Sequence, residues 1–221
     1  MFAWTRHPRQ ICQSPEPFQP VTTMSITEFP AAGLLTERLA LRPPSVDDAY
    51  AVLAYYTNNR EHLRPWEPDR PAGFYTYATM AQRLTTMTEQ MNIGSSVNLL
   101  MYSHNDHALV GICNFSNIVR GPLQACHLGF GLDARHQGRG LMHEALHAAI
   151  THMFDTVGLH RIMANHQPHN QRSAQVLARL GFEREGYARG YLHINGAWRD
   201  HVLTALINPR HQAPTTSGVN S

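Results

Sequence analysis

The chain has 221 residues, 43% of them hydrophobic, which suits one folded domain with short tails. Its formal net charge of +2, with His neutral, predicts no overall basic field that would attract nucleic acid or an anionic membrane. The three Cys fit no zinc or redox spacing and predict reduced thiols in a cytoplasmic protein, and no apolar run is long enough to span a membrane.

The two ends of the chain are expected to be tails. Residues 1–32 are rich in Pro and lack the apolar run of a secretory signal, so they predict a disordered tail, and Met24 is an alternative start to Met1. Residues 209–221 are polar and predict a flexible C-terminal tail. The folded domain is therefore expected to span residues 33–208.

The first half of the domain predicts one strand and two helices. Residues 36–43 alternate between apolar and charged side chains, as a half-buried strand does. A capping box at residues 45–48 opens a helix, and Met at helical spacing over 80–91 indicates another. The segment between these helices, residues 59–71, is bounded by prolines.

The second half changes to shorter apolar runs divided by turn residues. It predicts strands at 97–102, 109–115 and 126–132, a helix at 141–157, a strand at 160–166, a helix at 171–180 and a hairpin over 182–206. Gly181 is expected to end the second helix, and Asn195-Gly196 to form a type I′ turn. Gly129 and Gly131 suggest a bulge or a close backbone approach. This order predicts an α/β domain with a mixed sheet.

The loop over residues 132–142, between a strand and a helix, is the most informative segment. Gly138 and Gly140 stand where the chain must turn tightly and let a ligand approach its backbone. The helix that follows offers unpaired N–H groups and a positive dipole end, which together bind phosphate. Arg135 and Arg139 add positive charge. From the glycine spacing alone, an ordinary strand-to-helix turn is an equally good interpretation.

Two motifs in this order resemble the GNAT acyltransferase family. Arg135-x-x-Gly138-x-Gly140 is similar to the family's acetyl-CoA loop, and the run from Pro168 and Asn170 through Ser173 to Gly181-Phe182 is similar to its next helix. The resemblance covers about residues 34–208 and implies an α/β GNAT fold, a central, mixed but mostly antiparallel sheet flanked by helices.

Shorter matches narrow the resemblance to the RimJ/RimL-type ribosomal-protein alanine N-acetyltransferases, with the RimJ branch closest. They are Thr36-Glu37-Arg38-Leu39, Pro65-Trp66-Glu67-Pro68, Asn114-Phe115-Ser116-Asn117, Gly186-Tyr187 and Trp198-Arg199-Asp200-His201. This branch implies an acetyl-CoA-dependent enzyme that acetylates the N-terminal amine, on alanine, of a ribosomal protein, with no metal. The amine would attack directly, through a tetrahedral intermediate and without an acyl-enzyme.

The resemblance also implies which residues contact acetyl-CoA. Backbone N–H groups near Phe130 and Leu132 would face the thioester carbonyl. The expected cofactor-binding set is Phe130, Leu132, Arg135, Gly138, Arg139, Gly140, Leu141, Met142, Asn165, Asn170 and Ser173. Trp66, Tyr187 and Tyr191, with Trp198, are expected at the acceptor groove, although for each residue taken alone ordinary core or hairpin packing is the better explanation.

The catalytic residues depart from the common family pattern. Many members carry a Tyr where this chain has Leu177, so Ser173 is the expected donor to the leaving thiolate. An α-amine has a pKa of about 8 and is partly neutral at pH 7, so a base helps without being essential. Glu67 is the expected base and Asp200 a weaker candidate; a solvated loop carboxylate is the alternative interpretation for both.

Three other functions stay open from the sequence. His143-Glu144-x-x-His147 matches a zinc metallohydrolase motif, although no third ligand is evident. Within the same fold, the acceptor could be an aminoglycoside or a polyamine. The absent Tyr also leaves room for a non-catalytic acyl-CoA-binding module.

Overall fold

A computed structural model describes residues 29–30 and 32–211 of the chain. Of the predicted tails at 1–32 and 209–221, only positions 29, 30, 32 and 209–211 are described. Cys12 and Met24 lie outside the described residues. The expected domain limits therefore stay a prediction.

Eight strands and five helices, with short 3-10 turns between some of them, make up the described chain. The strands are β1 (Leu34–Leu35), β2 (Leu39–Arg42), β3 (Val97–Ser103), β4 (Leu109–Val119), β5 (Ala125–Leu132), β6 (Arg161–His166), β7 (Glu183–Ile194) and β8 (Ala197–Ile207). The helices are α1 (Ala49–Asn58), α2 (Arg60–Leu63), α3 (Tyr77–Asn92), α4 (Leu141–Asp155) and α5 (Gln171–Arg179).

All eight strands belong to one sheet, in the order β1-β2-β3-β4-β5-β6-β8-β7. Every neighbouring pair is antiparallel except β5 and β6, which are parallel. The parallel pair follows from the crossover through α4, because parallel neighbours cannot be joined by a tight turn. The expected mixed, mostly antiparallel sheet is confirmed.

The predicted order of elements is confirmed, with β1 and α2 as short additions. The first predicted strand begins at Leu39 instead of position 36, because Thr36 forms a turn. Its N–H donates to the Leu39 carbonyl at 2.9 Å, and its hydroxyl accepts from the Leu39 N–H at 3.0 Å. The two additions have two and four residues, too few to show a period.

Of the local backbone predictions, the turn at Asn195-Gly196 and the helix end at Gly181 are confirmed, whereas the bulge is not. Asn195 and Gly196 have φ of 47° and 74°, as a type I′ turn requires, and Gly181 has φ of 87° just after α5. A bulge at Gly129 or Gly131 is wrong, because pairing with β4 is regular there and shifts only between Ser116 and Val119. The close approach is correct for Gly131, where an added Cβ would stand 3.0 Å from the Tyr55 hydroxyl.

Helices cover the two faces of the sheet and close two cores. On one face, α4 buries Leu146 and Met153 against strand residues such as Phe115. On the other face, Tyr55 of α1 joins a second apolar cluster with α3. Fully burying one such side chain stabilises the fold by about 2 kcal/mol. Packed side chains therefore support both faces of the sheet that contains β5 and β6.

Two further sequence predictions concern the cysteines and the membrane. Cys113 and Cys126 are free and buried, and burial raises the pKa of each thiol to about 12, so both stay protonated. No helix of the described chain is long and apolar enough to cross a membrane.

Candidate active site

The cleft begins where β5 and β6 separate. The two strands pair through Ala125 and Arg161, Cys126 and Ile162, and His127 and Met163, and no further. Beyond that point β5 stays paired with β4, and β6 stays paired with β8. A gap therefore opens in the middle of the sheet, on the carboxyl side of two parallel strands.

Backbone N–H groups of β5 face this gap. The Asp133 N–H donates to the Val110 carbonyl at 2.8 Å and so points toward β4. Because N–H groups alternate sides along a strand, those of Phe130 and Leu132 point the opposite way, into the gap. Both residues line the cleft. The gap thus offers hydrogen-bond donors to a carbonyl oxygen.

The glycine loop forms one end of the cleft. Gly138 has φ of 74° and Gly140 has φ of 77°, a left-handed conformation that costs other residues about 1–2 kcal/mol. Gly140 is the N-cap of α4, and its carbonyl accepts from the Glu144 N–H at 3.1 Å. The N–H groups of Leu141 and Met142 in the first turn have no helical partner. This end of the cleft is suited to an anion.

Glu144 ties the first turn of α4 to the start of β2. Its carboxylate accepts from the Thr36 hydroxyl at 2.6 Å, the Arg38 N–H at 2.8 Å and Arg38 Nε at 2.7 Å. Arg38 Nη1 also donates to the Arg139 carbonyl at 2.8 Å, which fixes the loop between the two glycines. Burial alone would raise the pKa of Glu144, but the hydrogen bonds from Thr36 and Arg38 outweigh it and lower the pKa.

This arrangement corrects the zinc interpretation of residues 143–147. Glu144 is engaged by Arg38 and Thr36, so it does not serve as a base beside a metal. The rings of His143 and His147 lie 6.4 Å apart; His143 faces the cleft and His147 is exposed. Over residues 29–30 and 32–211, no three His, Cys, Asp or Glu side chains lie close enough together to hold a metal.

A buried polar network holds the other side of the loop. Asp133 is 2% exposed and accepts from Asn59 Nδ2 at 3.0 Å, while the Asn59 side-chain oxygen accepts from the Ala134 N–H at 3.0 Å. Arg135 donates to Asp133 through Nη2 at 2.9 Å, and hydrogen bonds from Arg135 and Asn59 hold the pKa of Asp133 well below its usual range. The Arg135 guanidinium turns toward Asp133 and does not line the cleft, so its predicted contact with the cofactor stays a prediction.

Helix α5 forms a second wall. Asn170 is its N-cap, with its side-chain oxygen accepting from the Ser173 N–H at 3.2 Å, and both residues line the cleft. Leu177, at the position where many family members carry a Tyr, is 1% exposed and packs in the core. Arg172 and Arg179 also line the cleft, and sequence reasoning missed them. Their seven-residue spacing, which places both on one helical face, is the sequence signal that indicates them.

The segment after α2 also lines the cleft. Trp66 and Glu67 both line the cleft, as predicted for the acceptor end. The Trp66 ring lies 5.2 Å from the His169 ring, and Gln167 Nε2 donates to the Pro65 carbonyl at 2.9 Å. These contacts join the segment to the β6–α5 connection. The cleft is therefore lined by a polar glycine loop and by a turn that carries an aromatic and an acidic side chain.

Several predicted residues are not brought to the cleft. Tyr187 donates to Asp200 at 2.7 Å within the β7–β8 hairpin, and neither residue lines the cleft. Tyr191 receives a hydrogen bond from Asn165 Nδ2 at 3.2 Å, and the Arg139 side chain is exposed. Trp198 is 67% exposed and packs edge-on against His193. For these residues the predicted contacts stay predictions.

The cleft has a volume of about 610 Å³, within the range of small-molecule sites. It is lined by eight of the eleven predicted cofactor residues and by Trp66 and Glu67. The eight are Phe130, Leu132, Gly138, Gly140, Leu141, Met142, Asn170 and Ser173.

Known proteins are similar to this chain in sequence and in fold. Residues 38–183 match the family model for an acetyltransferase (GNAT) domain. The chain is 47% identical to a ribosomal protein uS5-alanine N-acetyltransferase of Escherichia coli, over 83% of this chain and 94% of the relative. Two solved structures are also similar. A ribosomal-protein-S5-alanine acetyltransferase from Vibrio fischeri has a TM-score of 0.78 at 41% identity, over 81% of this chain and 98% of that one. Mycobacterium smegmatis RimJ in complex with CoA-disulfide has a TM-score of 0.73 at 30% identity, over 76% and 81%.

Proposed function

The chain belongs to the GNAT family of acetyltransferases, and from this premise we propose that it acetylates the N-terminal α-amine of a ribosomal protein that begins with alanine. It is an N-acetyltransferase that takes its acetyl group from acetyl-CoA. The observation that carries the acceptor is the 47% identity to the E. coli enzyme over 94% of that enzyme's length. A ribosomal-protein acceptor would place the reaction in the cytoplasm, at or near the ribosome.

The residues of the cleft fit acetyl-CoA, which supplies an activated acetyl group as a thioester. A pyrophosphate suits the loop at Gly138 and Gly140, because the space around Gly138 is open and the first-turn amides of α4 follow Gly140. Arg172 and Arg179 offer further positive charge for phosphate groups. The parted strands leave a channel that is lined both by this loop and by Trp66 and Glu67. We propose that the predicted cofactor residues lining this channel bind in this way.

The reaction requires four contributions from the residues of the chain. The N–H groups of Phe130 and Leu132 stabilise negative charge as it develops on the thioester oxygen. The Glu67 carboxylate receives a proton from the amine, directly or through water, while the new C–N bond forms. The C–S bond breaks, and Ser173 donates a hydrogen bond or proton to the departing sulfur. The walls of the cleft hold both reactants in line, which supplies much of the rate.

The nature of the acceptor is tested by the product. The assay uses acetyl-CoA with a peptide that begins with alanine, the same peptide with a blocked N-terminus, and an aminoglycoside, followed by CoA release and product mass. We expect one acetyl group on the free α-amine and none on the blocked peptide, even if that peptide contains Lys. Acetylation of the aminoglycoside alone would overturn the proposed acceptor, because the reaction would then be small-molecule modification.

A further inference from the structure

An ion pair adjoins the acceptor end of the cleft. Glu67 Oε2 accepts from Arg70 Nη2 at 2.8 Å, and the two side chains are only 22% and 23% exposed. Glu67 lines the cleft, whereas Arg70 does not. A carboxylate bound through one oxygen keeps the other available, so Oε1 of Glu67 is left for an incoming amine.

Arg70 is itself held in place by the core. Its guanidinium carbon lies 4.4 Å from the centre of the Phe74 ring and 5.6 Å from that of Tyr56. Phe74 and Tyr56 are 3% and 5% exposed, and their rings meet edge-on at 5.2 Å. A guanidinium against aromatic faces is attracted by the ring electrons, more strongly where water is partly excluded. The core therefore fixes Arg70, and Arg70 fixes Glu67.

The turn that carries Glu67 does not itself hold the Glu67 side chain in one orientation. Glu67 lies after the end of α2, and no helix or strand constrains the segment from there to the 3-10 turn that begins at Ala72. Pro68 and Pro71 restrict the backbone, but a Glu side chain on such a turn keeps three free torsions. The ion pair removes that freedom on the side of the cleft where the amine must arrive.

From these contacts we propose that Arg70 is a positioning residue: held on the Phe74 and Tyr56 rings, it orients the Glu67 carboxylate toward the acceptor amine. The inference rests on the proposed function, because it assigns Glu67 to the acceptor amine. Arg70 acts through Glu67 and not on a substrate directly. Its loss is expected to weaken use of the peptide and to leave acetyl-CoA binding unaffected, since Arg70 itself does not line the cleft.

The chain supplies a matched control in Arg83. Its guanidinium carbon lies 5.1 Å from the Phe74 ring centre and 5.9 Å from that of Tyr56, so it packs on the same two rings. Within the described chain it forms no ion pair with Glu67. Arg83→Gln therefore removes a comparable cation from the same aromatic faces without removing a contact of Glu67.

The experiment measures kcat and KM for the alanine peptide and for acetyl-CoA in Arg70→Gln, Arg70→Lys, Arg83→Gln, Glu67→Gln and the Arg70→Gln/Glu67→Gln double variant. Arg70→Gln is expected to lower kcat/KM for the peptide about tenfold or more, with KM for acetyl-CoA within about twofold of wild type. Arg70→Lys, which keeps the charge, should recover part of the loss. In the Glu67→Gln background, Arg70→Gln should add nothing, because the two residues act as one unit.

Two results would overturn the role of Arg70. One is an equal loss in Arg70→Gln and Arg83→Gln, which would mean that both act only through packing. The other is a full additional loss when Arg70→Gln is combined with Glu67→Gln. The wild-type reaction with the peptide is measured first. Its absence would overturn the proposed acceptor, and this role with it, whereas the two results above leave the acceptor intact.

Discussion

Replacing Gly138 with alanine is expected to raise KM for acetyl-CoA about tenfold or more. Gly138 has φ of 74°, and an L-residue in that conformation costs about 1–2 kcal/mol, where 1.4 kcal/mol corresponds to a factor of ten. If the loop relaxes to relieve the strain, its N–H groups turn away from the pyrophosphate. If it does not relax, the methyl group projects into the space that the ligand needs. Either response weakens binding, and titration of acetyl-CoA in steady state measures it.

Gly158 supplies the control for this substitution. It has φ of 73°, no atom lies within 4 Å of an added Cβ at either glycine, and it follows α4 at the far end from the cleft. Gly158→Ala should lower Tm by about 2–4 °C for each kcal/mol of strain and leave KM for acetyl-CoA unchanged. An equal rise in KM in the two variants would show that strain alone, and not the position in the cleft, accounts for the effect.

Replacing Ser173 with alanine is expected to lower kcat about a hundredfold, at the lower end of what an acid or base group contributes. The hydroxyl is the polar end of a side chain that lines the cleft at the first turn of α5, where the thiol is expected. Alanine keeps the Ser173 N–H that Asn170 caps and is a better helix former, so Tm should not fall. Rapid-quench or steady-state kinetics with the peptide, beside a thermal melt, would separate these effects.

A different outcome for Ser173 is informative. A kcat within about twofold of wild type would remove this side chain from the reaction and leave water as the proton donor. A lower kcat with an equally lower Tm would instead indicate that the substitution disturbed α5.

The parts of the fold that could be predicted are those set by local sterics and by period. Gly138, Gly140 and Gly181 have positive φ because their neighbours require a turn there, and glycine adopts it without strain. Asn195-Gly196 fixes the β7–β8 turn for the same reason. Each of these features depends on a few consecutive residues, so the sequence alone carries it.

The contacts that support the site depend on residues far apart in the chain. Arg38 and Glu144 are 106 positions apart, and Asn59 and Asp133 are 74 apart, so only the folded sheet brings them together. Arg135 is expected at the cofactor from the family motif and its charge, and in the folded loop its guanidinium donates to Asp133. Charge and proximity in sequence do not fix where a long side chain points.

The hairpin residues illustrate a second limit. Tyr187 and Tyr191 match their family by position, yet their hydroxyls bond to Asp200 and Asn165. A motif places a Cα in the fold, whereas the partner that satisfies a hydroxyl is chosen by whichever polar group lies nearest. Arg172 and Arg179 show the converse, since they reach the cleft although no motif singled them out.

The location of acetyl-CoA on the protein can be measured directly by hydrogen–deuterium exchange with mass spectrometry, in the presence and absence of acetyl-CoA. Bound acetyl-CoA is expected to slow exchange at residues 130–142 and in α5, because residues of both segments line the cleft. The Gly158 turn and α3 should be unaffected. Slower exchange confined to the β7–β8 hairpin or to α3, with the glycine loop unchanged, would contradict this location.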